Sequence, residues 1–162
     1  MNMLKFLNKK KKDNKGFSLV ELIIVVAILA ILVGLLAPQY IKYVEKSRKS
    51  ADASNLSEMV NAIQVYAADS DSNLTAGDYA ITISTNGTTA TKAVADIIAE
   101  TAPDYATIKL KSNKWLVDGK TNENVTSITA TVHVDNNGAT TVDYTPNAVK
   151  EFIKGNGTAS TN

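Results

Sequence analysis

From Phe17 to Ala37 the chain is apolar on every side, 21 residues interrupted only by Ser18, Glu21 and Gly34. As a helix this run spans ~32 Å, close to the thickness of a bilayer core. Beyond Pro38 the period stays helical but the pattern narrows to one face. Tyr40, Val44, Ser47, Ala51, Met59, Val60, Ile63 and Ala67 recur at steps of three and four, with Lys42, Glu45, Lys46, Arg48, Lys49, Asp52 and Glu58 mostly between them. Together the two patterns predict one helix from Phe17 to about Ala68, ~78 Å long. Its first half is apolar all round, and its second half carries a stripe that belongs under a globular head.

The helix gives way at "DSDSNLTAG", residues 69–77, to turn chemistry. After it "YAITIST" alternates as a strand and meets Asn86-Gly87, a hairpin signal. "TKAVADIIAETAP" places Ala93, Val94, Ile97 and Ile98 on one helical face and stops before Pro103. "ATIKLKSNKWLVDG" predicts two short strands around Ser112-Asn113, and "VTSITATVHVDNNGATTVDYT" a β-hairpin turning at Asp135 to Gly138. A last amphipathic turn or two, from Pro146 to Lys154, presents Ala148, Val149, Phe152 and Ile153, and the expectation is that Phe152 and Ile153 dock on the sheet. The fold class that follows is α+β, a long N-terminal helix packed on an antiparallel sheet.

Charge changes the picture at the front of the chain. Lys5, Lys9, Lys10, Lys11, Lys12 and Lys15 precede the apolar run, opposed only by Asp13, which predicts a cytoplasmic N-terminus. The run is longer than the apolar core of an ordinary signal peptide, and Leu35-Leu36-Ala37 is a poor small-x-small cleavage site. An uncleaved anchor and a long signal peptide both remain open, and neither explains Glu21. A carboxylate costs free energy even near the end of a membrane helix, so something must offset it. A cut between Gly16 and Phe17 would remove the basic leader and create an α-amino group on Phe17. On one helix Phe17 and Glu21 stand at i and i+4, and such an ammonium could pair with the carboxylate of its own or a neighbouring chain.

These residues resemble those of the type IV pilins: a basic leader ending in Gly16, Phe17, a glutamate four residues later, an apolar helix, then Pro38-Gln39-Tyr40. The resemblance covers roughly residues 9–48. It implies a prepilin peptidase that cleaves after Gly16 and N-methylates Phe17, and a Glu21 that engages the Phe17 amine of an adjacent subunit during assembly. It also implies that the helix is extended near Gly34 and Pro38 in the filament, although relatives often carry glycine where this chain has Ala30. The alternative for Pro38 is that it simply ends the membrane helix.

The organisation expected is therefore a leader at 1–16, a membrane-spanning and filament-core helix at 17–38, its amphipathic continuation at 39–68 and an α/β head at 69–162. The resemblance implies a structural subunit, a major pilin that polymerises with itself into a helical homopolymer. Its implied partners are the peptidase, an assembly platform and a cytoplasmic ATPase. It would sit in the cytoplasmic membrane before assembly and on the cell surface afterwards. A minor pilin or secretion-system pseudopilin shares the same leader, and a membrane-tethered binding module or enzyme is the reading from another class.

Removing the leader takes six lysines and one aspartate and leaves 146 residues with 11 basic and 15 acidic side chains. That is no nucleic-acid footprint. The chain has no cysteine, so the C-terminal disulfide that many pilins carry cannot form. No cofactor or metal is expected. Asp69, Asp71 and Asn73 have calcium-loop spacing, but Leu74 and Ala80 stand where such a loop needs glycine and glutamate. The one histidine, His133, lies in a strand without evident partners and reads as structural, Trp115 reads as core, and no hydrolase or nucleotide-loop motif occurs. No enzymatic activity is expected. Asn55, Asn73, Asn86, Asn124 and Asn156 open glycosylation sequons in a chain rich in Asn and Thr.

Overall fold

The computed structural model describes residues 17–69, 71–117 and 124–155. Its first element, α1, runs from Leu19 to Ala67. The chain divides into two compact units, one ending at Tyr40 and the other beginning at Ile41. In the first unit every described side chain is exposed. The segment is apolar and long enough to cross a membrane, and it buries nothing against its own unit; a helix apolar on all sides suits a hydrocarbon or protein interior. α1 continues through Pro38, so this proline does not end the helix. Pro38 has no N–H to offer the Gly34 carbonyl one turn back.

The second unit contains the rest of α1 and everything after it. The strands are β1 (Gly77–Ser84), β2 (Gly87–Ala90), β3 (Ser127–Val134) and β4 (Thr140–Thr145). They form one antiparallel sheet in the order β2-β1-β3-β4. Alternation sets which face is covered. Tyr79, Ile81 and Ile83 of β1 and Ile128, Ala130, Val132 and Val134 of β3 are buried, in one cluster with Leu56, Met59, Val60, Ile63 and Ala67 of α1. The helices α2 (Lys92–Thr101) and α3 (Asn147–Ile153) add Val94, Ile98 and Val149 to that cluster. Gln64 Nε2 donates to Thr140 Oγ1 at 3.0 Å and ties α1 to β4.

Three expectations are corrected. The turn between β1 and β2 falls on Thr85 and Asn86, while Gly87 already pairs with Ser84. Gly87 has φ +145° and a Cβ there would lie 2.7 Å from the Ala106 carbonyl oxygen, so glycine is required by both conformation and space. Residues 108–116 form no ladder strand after the short 3₁₀ turn at Tyr105–Thr107. Their donors go elsewhere: Leu110 N–H to the Ser84 carbonyl, and Lys111 and Ser112 N–H to the Asp52 carboxylate at 2.9 and 2.8 Å. That bonding explains the third correction. Asp52 and Lys49, read as part of the polar face of α1, are buried, whereas Tyr40 and Ser47 of the expected stripe are exposed.

Trp115 is buried as expected, with its ring edge-on to Phe152 at 5.6 Å and Lys49 Nζ 5.6 Å from its centroid. The C-terminal helix is held by Val149 in the core, with Phe152 and Ile153 packed against the same cluster and Phe152 also edge-on to Trp115.

Candidate functional site

Phe17 and Ser18 immediately precede α1, and Glu21 lies in its first turn. The Ser18 carbonyl accepts the first helical bond, from Leu22 N–H at 3.1 Å, which makes Ser18 the N-cap. Glu21 Oε2 accepts the Ser18 N–H at 2.9 Å, and Ser18 Oγ accepts the Val20 N–H at 3.3 Å. This is a capping-box arrangement in which Glu21, the third helical residue, takes the N–H of the cap, while the cap hydroxyl takes the N–H of the second helical residue, Val20. The carboxylate also sits at the positive end of the helix dipole, which favours its charge. Ser-x-x-Glu before an apolar run was legible as this motif in the sequence, and the explanation of Glu21 by charge pairing alone missed it.

The cap corrects the helical spacing assigned to Phe17. Phe17 lies before the cap, outside the helix, and is 82% exposed. It does not share a helical face with Glu21, because Ser18 breaks from helical geometry to cap the first turn. Gly16, the expected cleavage residue, lies outside the described residues. Gly34 and Pro38 are both helical and exposed, and a Cβ on Gly34 would touch nothing within 4 Å.

The remaining candidate chemistry is in the second unit. His133 stands opposite Asp78 in the β1–β3 register. Its Nδ1 lies 2.7 Å from Asp78 Oδ1 and its Nε2 3.3 Å from Asp143 Oδ2, with Lys150 Nζ 3.7 Å from the same Asp143. The hydrogen bond to Asp78 is the main reason its pKa is raised, with Asp143 adding to it. Both ring nitrogens are engaged, which leaves none for a substrate proton. These carboxylate partners were not visible in the sequence because they come from strands 55 and 10 residues away along the chain.

A second polar cluster joins α1 to the segment after the 3₁₀ turn. Besides the two N–H donors on Asp52, Ser112 Oγ donates to Glu45 Oε1. Burial raises the Asp52 pKa against the lowering effect of those N–H groups, and burial lowers the pKa of Lys49. In the 69–77 turn Asp69 Oδ1 accepts the Asp71 N–H at 3.0 Å and Ser72 Oγ accepts the Leu74 N–H at 3.2 Å. These carboxylate and hydroxyl oxygens cap a turn, and no grouping of three metal-type ligands occurs among the described residues.

Residues 11–37 match the family model described as the prokaryotic N-terminal methylation motif. No curated protein and no solved structure matches the chain. The matched segment contains Gly16, Phe17, Ser18, Glu21 and Gly34, and stops just before Pro38. It supports a type IV pilin-like prepilin, a substrate of prepilin peptidase and of pilus-type assembly machinery, with an apolar helix suited to membrane anchoring.

Proposed function

We propose that this chain is the structural subunit of a type IV pilus, cleaved after Gly16, N-methylated on Phe17 and polymerised through α1 into a cell-surface filament. The observation that carries this reading is the methylation motif at residues 11–37, whose described part runs into α1 over a stretch, up to Tyr40, where every side chain is exposed. In the membrane those side chains face lipid. In a filament they face the same residues of other copies, so extraction from the bilayer trades one apolar environment for another.

Glu21 decides how that exchange is guided. One of its oxygens is held by the Ser18 N–H, which fixes the carboxylate at the helix start. An incoming Phe17 ammonium then meets an anion already oriented in low dielectric, where an unpaired charge costs far more than a paired one. The subunit carries out no hydrolysis of its own; the machinery supplies the energy of extraction. Gly34 and Pro38 are the points at which α1 loosens as it leaves the bilayer. Adhesion, surface motility and biofilm formation are the uses open to such a filament. Sheared surface filaments composed mainly of a chain that starts at methylated Phe17 are the expected result. Processed chain found only in the membrane, without filaments, would replace this reading with that of a minor pilin or pseudopilin.

A further inference from the structure

The outward face of α1 in the second unit carries two patches of opposite character. One is basic and aromatic: Lys42, Tyr43 and Lys46 are exposed, Tyr43 at 70%. The other is a groove of about 650 Å³ between α1 and α2, with Ala62, Val65 and Ile97 on its apolar lining and Glu58, Asp69 and Glu100 around them. No basic residue lines that groove among the described residues. Val65 is 73% exposed, a large apolar side chain standing uncovered beside three carboxylates. Neither the two lysines nor the three acids of these patches form an ion pair among the described residues.

We infer that the groove between α1 and α2 receives the Lys42–Lys46 segment of a second copy of this chain. The fit is one of both kinds: Tyr43 supplies apolar area for Ala62, Val65 and Ile97, while the flanking lysines meet Glu58 and Glu100. A chain cannot satisfy itself this way. Lys46 and Glu58 are 12 residues apart on one helix, ~18 Å along its axis, well beyond ion-pair reach. A parallel neighbour displaced by about that distance brings the two patches together. The surfaces joined are different, so each copy in a dimer keeps one patch free, and between parallel copies displaced along the axis the contact can repeat as in a helical polymer. Between them runs an exposed row of short side chains, Ser47, Ser50 and Ser54, over which another helix can come close. The acidic groove also selects against phosphate-bearing partners, which it would repel.

This contact rests on the filament reading and adds where its heads meet. The test is made on the full chain in cells that assemble it. Glu58→Lys with Glu100→Lys, and separately Lys42→Glu with Lys46→Glu, should each lower sheared filament at least tenfold while the cleaved chain accumulates in the membrane. Combining all four should restore filament to within about threefold of the parent. The absence of cysteine allows a second measurement. With Lys46→Cys and Glu58→Cys in one chain, a short bis-maleimide should give a ladder of dimers, trimers and longer species from filaments, and either single variant none. Filament levels unchanged by either reversal, no rescue by the fourfold variant, or dimers from one single variant would each overturn the contact. A loss caused only by the lysine reversals would assign that stretch to lipid headgroups instead. If the parent chain is cleaved but forms no filament, the pilus reading itself has failed and this contact falls with it.

Discussion

Asp52 holds the segment after the 3₁₀ turn to α1, and its removal should be felt well beyond one hydrogen bond. The side chain is fully buried and accepts the N–H groups of Lys111 and Ser112. In Asp52→Ala the exposed Lys111 N–H can turn to water, but Ser112 is 1% exposed and its N–H has nowhere to go. A buried donor left unpaired costs about 1–3 kcal/mol, and the second lost bond about 1 kcal/mol. Relief of the desolvation of a buried carboxylate offsets part of this. A net loss of about 2–3 kcal/mol follows, which lowers Tm by roughly 10 °C for a domain of this size. Trp115, the only tryptophan, is three residues from Ser112 and reports on the same segment. The assay is thermal and urea unfolding of a fragment beginning at Ile41, followed by tryptophan emission, with the exposed Ser54→Ala as control. The fragment starts there because the compact unit does, and because it keeps Glu45, which accepts from Ser112, and Lys49, which lies over Trp115. An Asp52→Ala fragment within 0.5 kcal/mol of the parent, with unchanged emission, would refute the role given to this carboxylate.

Other outcomes follow from named contacts. Gly138 has φ +77° and a Cβ there would collide with the Ala67 carbonyl at the end of α1, so Gly138→Ala should cost about 2–4 kcal/mol by urea unfolding. The His133 pKa should lie above the ordinary histidine value by NMR titration and fall toward it in Asp78→Asn. Because the folded value is raised, the stabilisation linked to His133 is complete below about pH 6.5 and is lost as pH rises through the folded pKa. Glu21→Ala should be inserted and cleaved yet yield at least tenfold less filament. Glu21→Gln separates the two roles, since glutamine keeps the cap on Ser18 but not the charge, and normal assembly of that variant would refute ion pairing.

The elements with a repeating pattern were legible in the sequence. The alternation in "SITATVHV" gives the buried set of β3, and the three-and-four spacing of Met59, Val60, Ile63 and Ala67 gives the packed face of α1. The stretch after Ile108 was misread because alternation in "TIKLKS" looks like a strand wherever its N–H groups go, and here a side chain 59 and 60 residues earlier takes two of them. Asp52 and Lys49 fall between the stripe positions and are residue types that usually stay in solvent, and only tertiary packing reveals that they are covered. At the N-terminus the leader, Phe17 and Glu21 were legible as a set, but the geometry joining them was not. Ser18 ends the helix before Phe17, so the two residues do not lie on one helical face.

The measurement that bears most directly on the whole account is the N-terminal sequence and mass of the mature chain recovered from sheared surface material. The account predicts a chain that begins at Phe17, carries one N-methyl group and has lost its 16-residue leader. A chain on surface filaments that still begins at Met1 would contradict it.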